Sequence, residues 1–155
     1  MGVTFRAADE YSTRILGETF AELQQESELD LNAFVLLIDD PFLLSDPHDI
    51  AVVTPTMHSL AKACRRLEEV GGGSIVVLIN HHLLQGDTNL PAASAQAASA
   101  AQSVGVLART YGAKDIRINA VTYEDLSHST IPTLWLISAA ASYVTGQSLY
   151  AQLPL

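Results

Sequence analysis

The sequence has little cysteine, few basic residues and no long apolar run. Cys64 is the single cysteine in the 155 residues, so an intrachain disulfide is excluded and a zinc–thiolate site has too few ligands. The 8 lysines and arginines face 17 aspartates and glutamates, for a net charge of −9. An acidic chain is a poor partner for nucleic acid or for an anionic membrane surface. Runs such as FVLLI and SIVVLI are too short to span a bilayer.

Targeting and phosphate-binding motifs are missing as well. The start MGVTFRAADEYSTR has no basic segment followed by an apolar one, so we expect no signal peptide and, by default, a cytoplasmic protein. The patterns GxGxxG, GxxxGxG and GxxxxGK[ST] do not occur in the sequence. Three consecutive glycines at residues 71–73 follow a predicted helix and precede a predicted strand. A phosphate-binding loop has the reverse order, so these glycines indicate a helix end and a turn.

What the sequence does contain is an alternation of strand-like and helix-like segments. In order, the patterns predict a strand at 3–8, a helix at 10–26, a strand at 32–39, a helix at 55–70, a strand at 71–80, a helix at 92–111, a strand at 114–123, a helix at 131–144 and a strand at 148–155. Residues 39–49 and 81–90 read as loops. This order predicts one α/β domain over residues 1–155, with a parallel sheet between helices in three layers.

Residue types alone identify no active site. His81 and His82 follow a strand, where chemistry usually occurs in α/β folds, but adjacent histidines point in different directions and rarely share one metal ion. Asp39 and Asp40 also follow a strand and fit a turn better than acid–base catalysis. Cys64 lies mid-helix, as a packed thiol does. We therefore predict no metal site.

Two stretches carry a resemblance to a known family. LARTYGAKDIRINAV and LISAAASYVTGQSLYA resemble the helix-to-strand segment and the C-terminal segment of the short-chain dehydrogenases/reductases (SDRs). GGSIVVLIN and NAFVLLIDDP match the family more loosely. The resemblance implies a truncated Rossmann-like, mostly parallel sheet that lacks the first βαβα cofactor-binding unit, because the start of the chain resembles the family's third strand.

The resemblance also implies that the catalytic residues are lost. The family's Tyr and Lys fall on Ala93 and Ala97, its Ser falls on Asn80, and its helix Asn falls near Val53 or Thr54. Methyl groups can neither transfer a proton nor carry a positive charge. We expect no catalytic residue, no cofactor and no metal in this chain, with NAD or NADP bound only by a partner subunit.

The sequence therefore predicts a non-catalytic subunit, a pseudoenzyme, that assembles with an active NAD(P)-dependent SDR, as a heterotetramer. This resembles the inactive subunit of hydroxybenzylsuccinyl-CoA dehydrogenase. The small residues at every fourth helix position leave a smooth face for another helix. The predicted interface residues are Ala93, Ala97, Ala101, Gly105, Tyr143 and Tyr150.

Three alternatives stay open at the level of the sequence. The small-residue face could pack inside its own domain. The chain could instead associate with itself and hold a small apolar or acyl ligand in the former substrate pocket. It could also be an enzyme with a new site built around Asp39, Asp40, Asn80 and His81.

Overall fold

A computed structural model describes residues 3–6, 32–38 and 53–152. The strands are β1 (Val3–Arg6), β2 (Ala33–Ile38), β3 (Gly73–Asn80), β4 (Ile116–Tyr123) and β5 (Ser148–Ala151), and the helices are α1 (Val53–Glu69), α2 (His81–Gln85), α3 (Pro91–Tyr111) and α4 (Thr130–Ile137). Short 3₁₀ turns cover Gly112–Lys114, Leu126–Ser129 and Ala139–Ala141. The helix predicted at 10–26 and the loop predicted at 39–49 lie outside the described residues.

The five strands form one parallel sheet in the order β1-β2-β3-β4-β5. The N-terminal strand, whose place was open from the sequence, pairs with β2 in the register Val3 opposite Ala33. The predicted α/β class with a mostly parallel sheet is confirmed. Because consecutive strands are neighbours throughout, every described crossover moves the chain one strand in the same direction.

Helices cover both faces of this sheet, which confirms the three layers. The strands are continuous apolar runs because alternate side chains enter two different cores. On one face Ile75, Val77 and Ile118 pack with α1 and α3. On the other face Val76 and Val121 pack with α4. The β2–α1–β3 and β3–α3–β4 crossovers place their helices on one face of the sheet. Because α4 lies on the other face, the β4–α4–β5 crossover has the opposite handedness.

Two predicted boundaries are wrong, at residues 81–85 and at the end of α4. Residues 81–85 form a short helix instead of a loop, with the Asn80 side chain accepting a hydrogen bond from the His82 amide at its start. Helix α3 ends at Tyr111 as predicted; Gly112 stays right-handed, and the chain turns at Asp115, with φ of 57°. The helix predicted at 131–144 ends at Ile137.

The glycine triplet at 71–73 forms the predicted turn between a helix and a strand. The amides of Gly71 and Gly72 donate to the carbonyls of Glu68 and Leu67 at the end of α1. Gly73 has a φ of 147°, and a Cβ there would lie 2.3 Å from the carbonyl oxygen of Asn32. A side chain at that position would therefore separate β3 from the chain that enters β2.

Two polar side chains of β4 hold the C-terminal part of the fold. The Arg117 guanidinium donates to the carbonyls of Leu136, Ile137 and Ala141, and so caps the end of α4. The buried Asn119 amide donates to the Val144 carbonyl and accepts from the Gln147 amide. These bonds position the segment that leads into β5.

None of the helices in the described part of the chain is long and apolar enough to cross a membrane.

Candidate functional site

Ala93 and Ala97, which the sequence resemblance places at the family's Tyr and Lys positions, lie in the first turns of α3 and face inward. Ala93 is 3 % exposed and Ala97 is fully buried, in the same core as β3 and β4 side chains. The prediction that these two side chains belong to a partner-facing surface is therefore wrong, because the chain's own sheet covers them. The alternative, in which this face packs inside its own domain, holds for both residues.

The remaining predicted interface positions are more accessible. Ala101 is half-buried against the core, whereas a Cβ added at Gly105 would meet no atom within 4 Å. The side of α3 that is exposed runs instead through Ala98, Gln102 and Val106. Assembly through this helix, if it occurs, therefore uses a face rotated away from the alanine stripe.

Helices α1 and α3 are tied together by side-chain contacts next to these alanines. The Gln96 amide donates to the Thr56 hydroxyl at 2.7 Å, and the Ser103 hydroxyl lies 3.2 Å from the Met57 sulfur. The position near which the family's helix Asn was expected, Val53 or Thr54, is the start of α1. None of the side chains in this group of contacts titrates near neutral pH, so none of them can act as a general acid or base there.

Asn80, which the sequence resemblance places at the family's Ser position, caps a helix at the carboxyl edge of the sheet. Asn80 ends β3 opposite Tyr123 of β4. Its side-chain oxygen accepts from the His82 amide at 2.9 Å and starts the short helix α2. The acceptor of the Asn80 side chain is therefore engaged in capping α2.

A cluster that the sequence analysis did not predict lies at the same edge. The His81 ring packs against the Tyr150 ring with 4.4 Å between centroids, and the Tyr150 hydroxyl donates to the Glu124 carboxylate. This hydrogen bond raises the pKa of Tyr150 above its ordinary value. The second imidazole contact is made by Gln85, whose amide nitrogen lies 2.9 Å from His81 Nε2. We call His81, Gln85, Glu124 and Tyr150 the edge cluster.

The neighbouring histidine, His82, contacts the loop that precedes α3. His82 Nε2 lies 3.1 Å from Asp87 Oδ2, and the other Asp87 oxygen accepts from the Asn89 amide. The Asp87 amide in turn donates to the Ser94 hydroxyl. Among the residues that the structure describes, no group of three His, Cys, Asp or Glu side chains could hold a metal ion. Asp39 and Asp40 lie outside those residues.

The single cysteine is packed as predicted. Cys64 is fully buried on the sheet-facing side of α1, and burial raises the pKa of its thiol to about 11. A thiol in this state is a poor nucleophile at neutral pH.

Large apolar side chains on the surface concentrate near the C-terminal end of the fold. Tyr143 is 85 % exposed and Tyr150 is 43 % exposed, as an interface would require. The sequence analysis missed Ile131 and Trp135, which are 79 % and 43 % exposed. Their spacing of four on α4 places them on one side of that helix, opposite the buried Thr133 and Ile137.

Neither a family model nor a curated protein matches the sequence. Solved structures do match. Acetoin dehydrogenase from Enterobacter cloacae superimposes with a TM-score of 0.66 at 19 % identity, over 96 % of this chain and 83 % of that one. A short-chain type dehydrogenase/reductase from Mycobacterium ulcerans gives 0.64 at 18 % identity, over 85 % and 63 %. The fold is that of the SDRs.

The same SDR fold is found in hydroxysteroid dehydrogenase from Escherichia coli, which matches with a TM-score of 0.60 at 19 % identity. That match covers 77 % of this chain and 61 % of the E. coli chain, so the protein spans about three fifths of that structure. At sequence identities below 20 %, these superpositions establish a common fold and nothing about activity. The activities of these dehydrogenases are theirs, because function lies in the site and not in the fold.

Proposed function

We propose that this protein is a non-catalytic SDR-like subunit that assembles with an active NAD(P)-dependent SDR. The observation that carries the proposal is the pair of buried methyl groups at Ala93 and Ala97 in an SDR fold. By the resemblance of the sequence, these are the positions of the family's acid–base Tyr and its Lys. Alanine supplies neither proton nor charge there.

The site around these alanines is also closed by packing. Ala97 has no exposed surface and lies in the core cluster with Val77 and Ile118 of the central strands. Nearby, Asn80 is engaged in capping α2. The positions that would carry SDR chemistry therefore serve the stability of this chain.

The surface supports association with another protein. Monomers rarely expose several large apolar side chains in one region. Here Ile131, Trp135 and Tyr143 are exposed within a stretch that has no Asp, Glu, Lys or Arg from residue 126 to residue 155. The partner in this proposal is an SDR that supplies the NAD(P) site, the Tyr and the Lys, in a heterotetramer.

The test of the non-catalytic role is turnover by the complex. The chain is co-expressed with a candidate partner SDR from the same organism, once with the partner intact and once with the partner's catalytic Tyr replaced by Phe. We expect dehydrogenase activity with the intact partner and none above background with the Tyr→Phe partner. The matched control is the partner alone, which shows whether its own activity depends on this chain.

Turnover that survives in the complex with the inactivated partner would contradict the proposal, because this chain would then have chemistry of its own. A chain that forms only homo-oligomers would favour the other function considered for this sequence, a self-associating protein that holds a small apolar or acyl ligand.

A further inference from the structure

We draw no further inference here: the strongest candidate, the exposed apolar side of α4 at Ile131 and Trp135, carries nothing beyond the association already proposed, because nothing in the structure shows what covers it.

Discussion

At the residue scale, two buried threonine hydroxyls differ in whether they make a hydrogen bond. Thr122 and Thr133 are both buried, at 4 % and 0 % exposure. The Thr122 hydroxyl donates to the Leu149 carbonyl, whereas the Thr133 hydroxyl has no partner among the described residues. A buried hydroxyl that makes no bond has lost its water without compensation.

Replacing Thr133 with Val should therefore stabilise the protein. The two side chains have the same shape, and the change removes an unpartnered hydroxyl, so we expect the free energy of unfolding to rise by about 1 kcal/mol. Urea unfolding measures it. The matched control is Thr122→Val, which removes a bonded hydroxyl and should lower the free energy of unfolding by about 1 kcal/mol. A loss of stability in Thr133→Val would mean that this hydroxyl has a partner.

The thiol of Cys64 gives a second prediction at this scale. Its pKa of about 11 in the folded protein exceeds the ordinary value of 9.0 because of burial. Since each pKa unit is a factor of ten, the thiolate fraction at pH 8 is about a hundredfold smaller in the folded chain than in the unfolded one. We expect iodoacetamide to alkylate the native protein at least that much more slowly than the urea-unfolded protein.

The same difference in thiol pKa makes the free energy of unfolding depend on pH. A thiol whose pKa is raised by folding favours the folded state fully below pH 9, and this contribution is lost as the pH rises towards 11. A Cys64→Ala variant lacks this titration, so its stability should fall less steeply between those pH values. Equal slopes for both proteins would contradict the buried placement of the thiol.

At the scale of elements, helix α4 depends on a side chain from the neighbouring strand. Arg117 donates three hydrogen bonds to carbonyls at and just beyond the end of α4, at 2.7, 2.8 and 3.2 Å. Arg117→Met keeps the apolar stem and removes the donors, so we expect a loss of about 2–3 kcal/mol in the free energy of unfolding. Arg109→Met, at an exposed position in the last turn of α3, is the control and should cost less than about 0.5 kcal/mol.

The first turns of α3 allow a direct test of how tightly the helix is packed at Ala97. Ala97 is fully buried, whereas Ala98 beside it is exposed on the same helix. Ala97→Lys places a long charged side chain in a packed core, so we expect a loss of at least about 3 kcal/mol or failure to fold. Ala98→Lys should change stability by less than about 0.5 kcal/mol. Similar stability for both variants would mean that a lysine can still stand at position 97.

The sequence predicted the strands and the long helices because their patterns are strong. Ser74–Ile79 is a continuous buried run, and Pro91 marks the start of a long run of good helix formers. It could not predict α2, since a helix of five residues is too short to show a period. The end of α4 was also missed, because LISAAASYV contains no helix breaker.

The candidate site was predicted only in part. Alanines at 92, 93, 95, 97, 98, 100 and 101 make both sides of α3 alike in hydropathy, so the buried side could not be distinguished from the exposed one. The contact between His81 and Tyr150 depends on the register of β5 with β4, where Tyr150 lies opposite Thr122. No local pattern encodes a contact between side chains that far apart in the chain.

At the scale of the whole molecule, the chain has the fold of the SDRs, and the helix residues that the sequence resemblance places at the family's Tyr and Lys positions are packed in its core. Buried alanines fill the central helix, an asparagine caps the helix that follows β3, and exposed apolar side chains concentrate on α4 and the segment after it. An acidic chain with an uncharged apolar region is suited to contact with another protein through that region.

The measurement that tests the central claim most directly is the mass of the assembly, by size-exclusion chromatography with light scattering. The chain is expressed alone and together with a candidate partner SDR from the same organism. The account predicts co-elution of both chains at the mass of a heterotetramer with two copies of each. A chain that stays soluble as a 16.6 kDa monomer and never co-purifies with that SDR would contradict it.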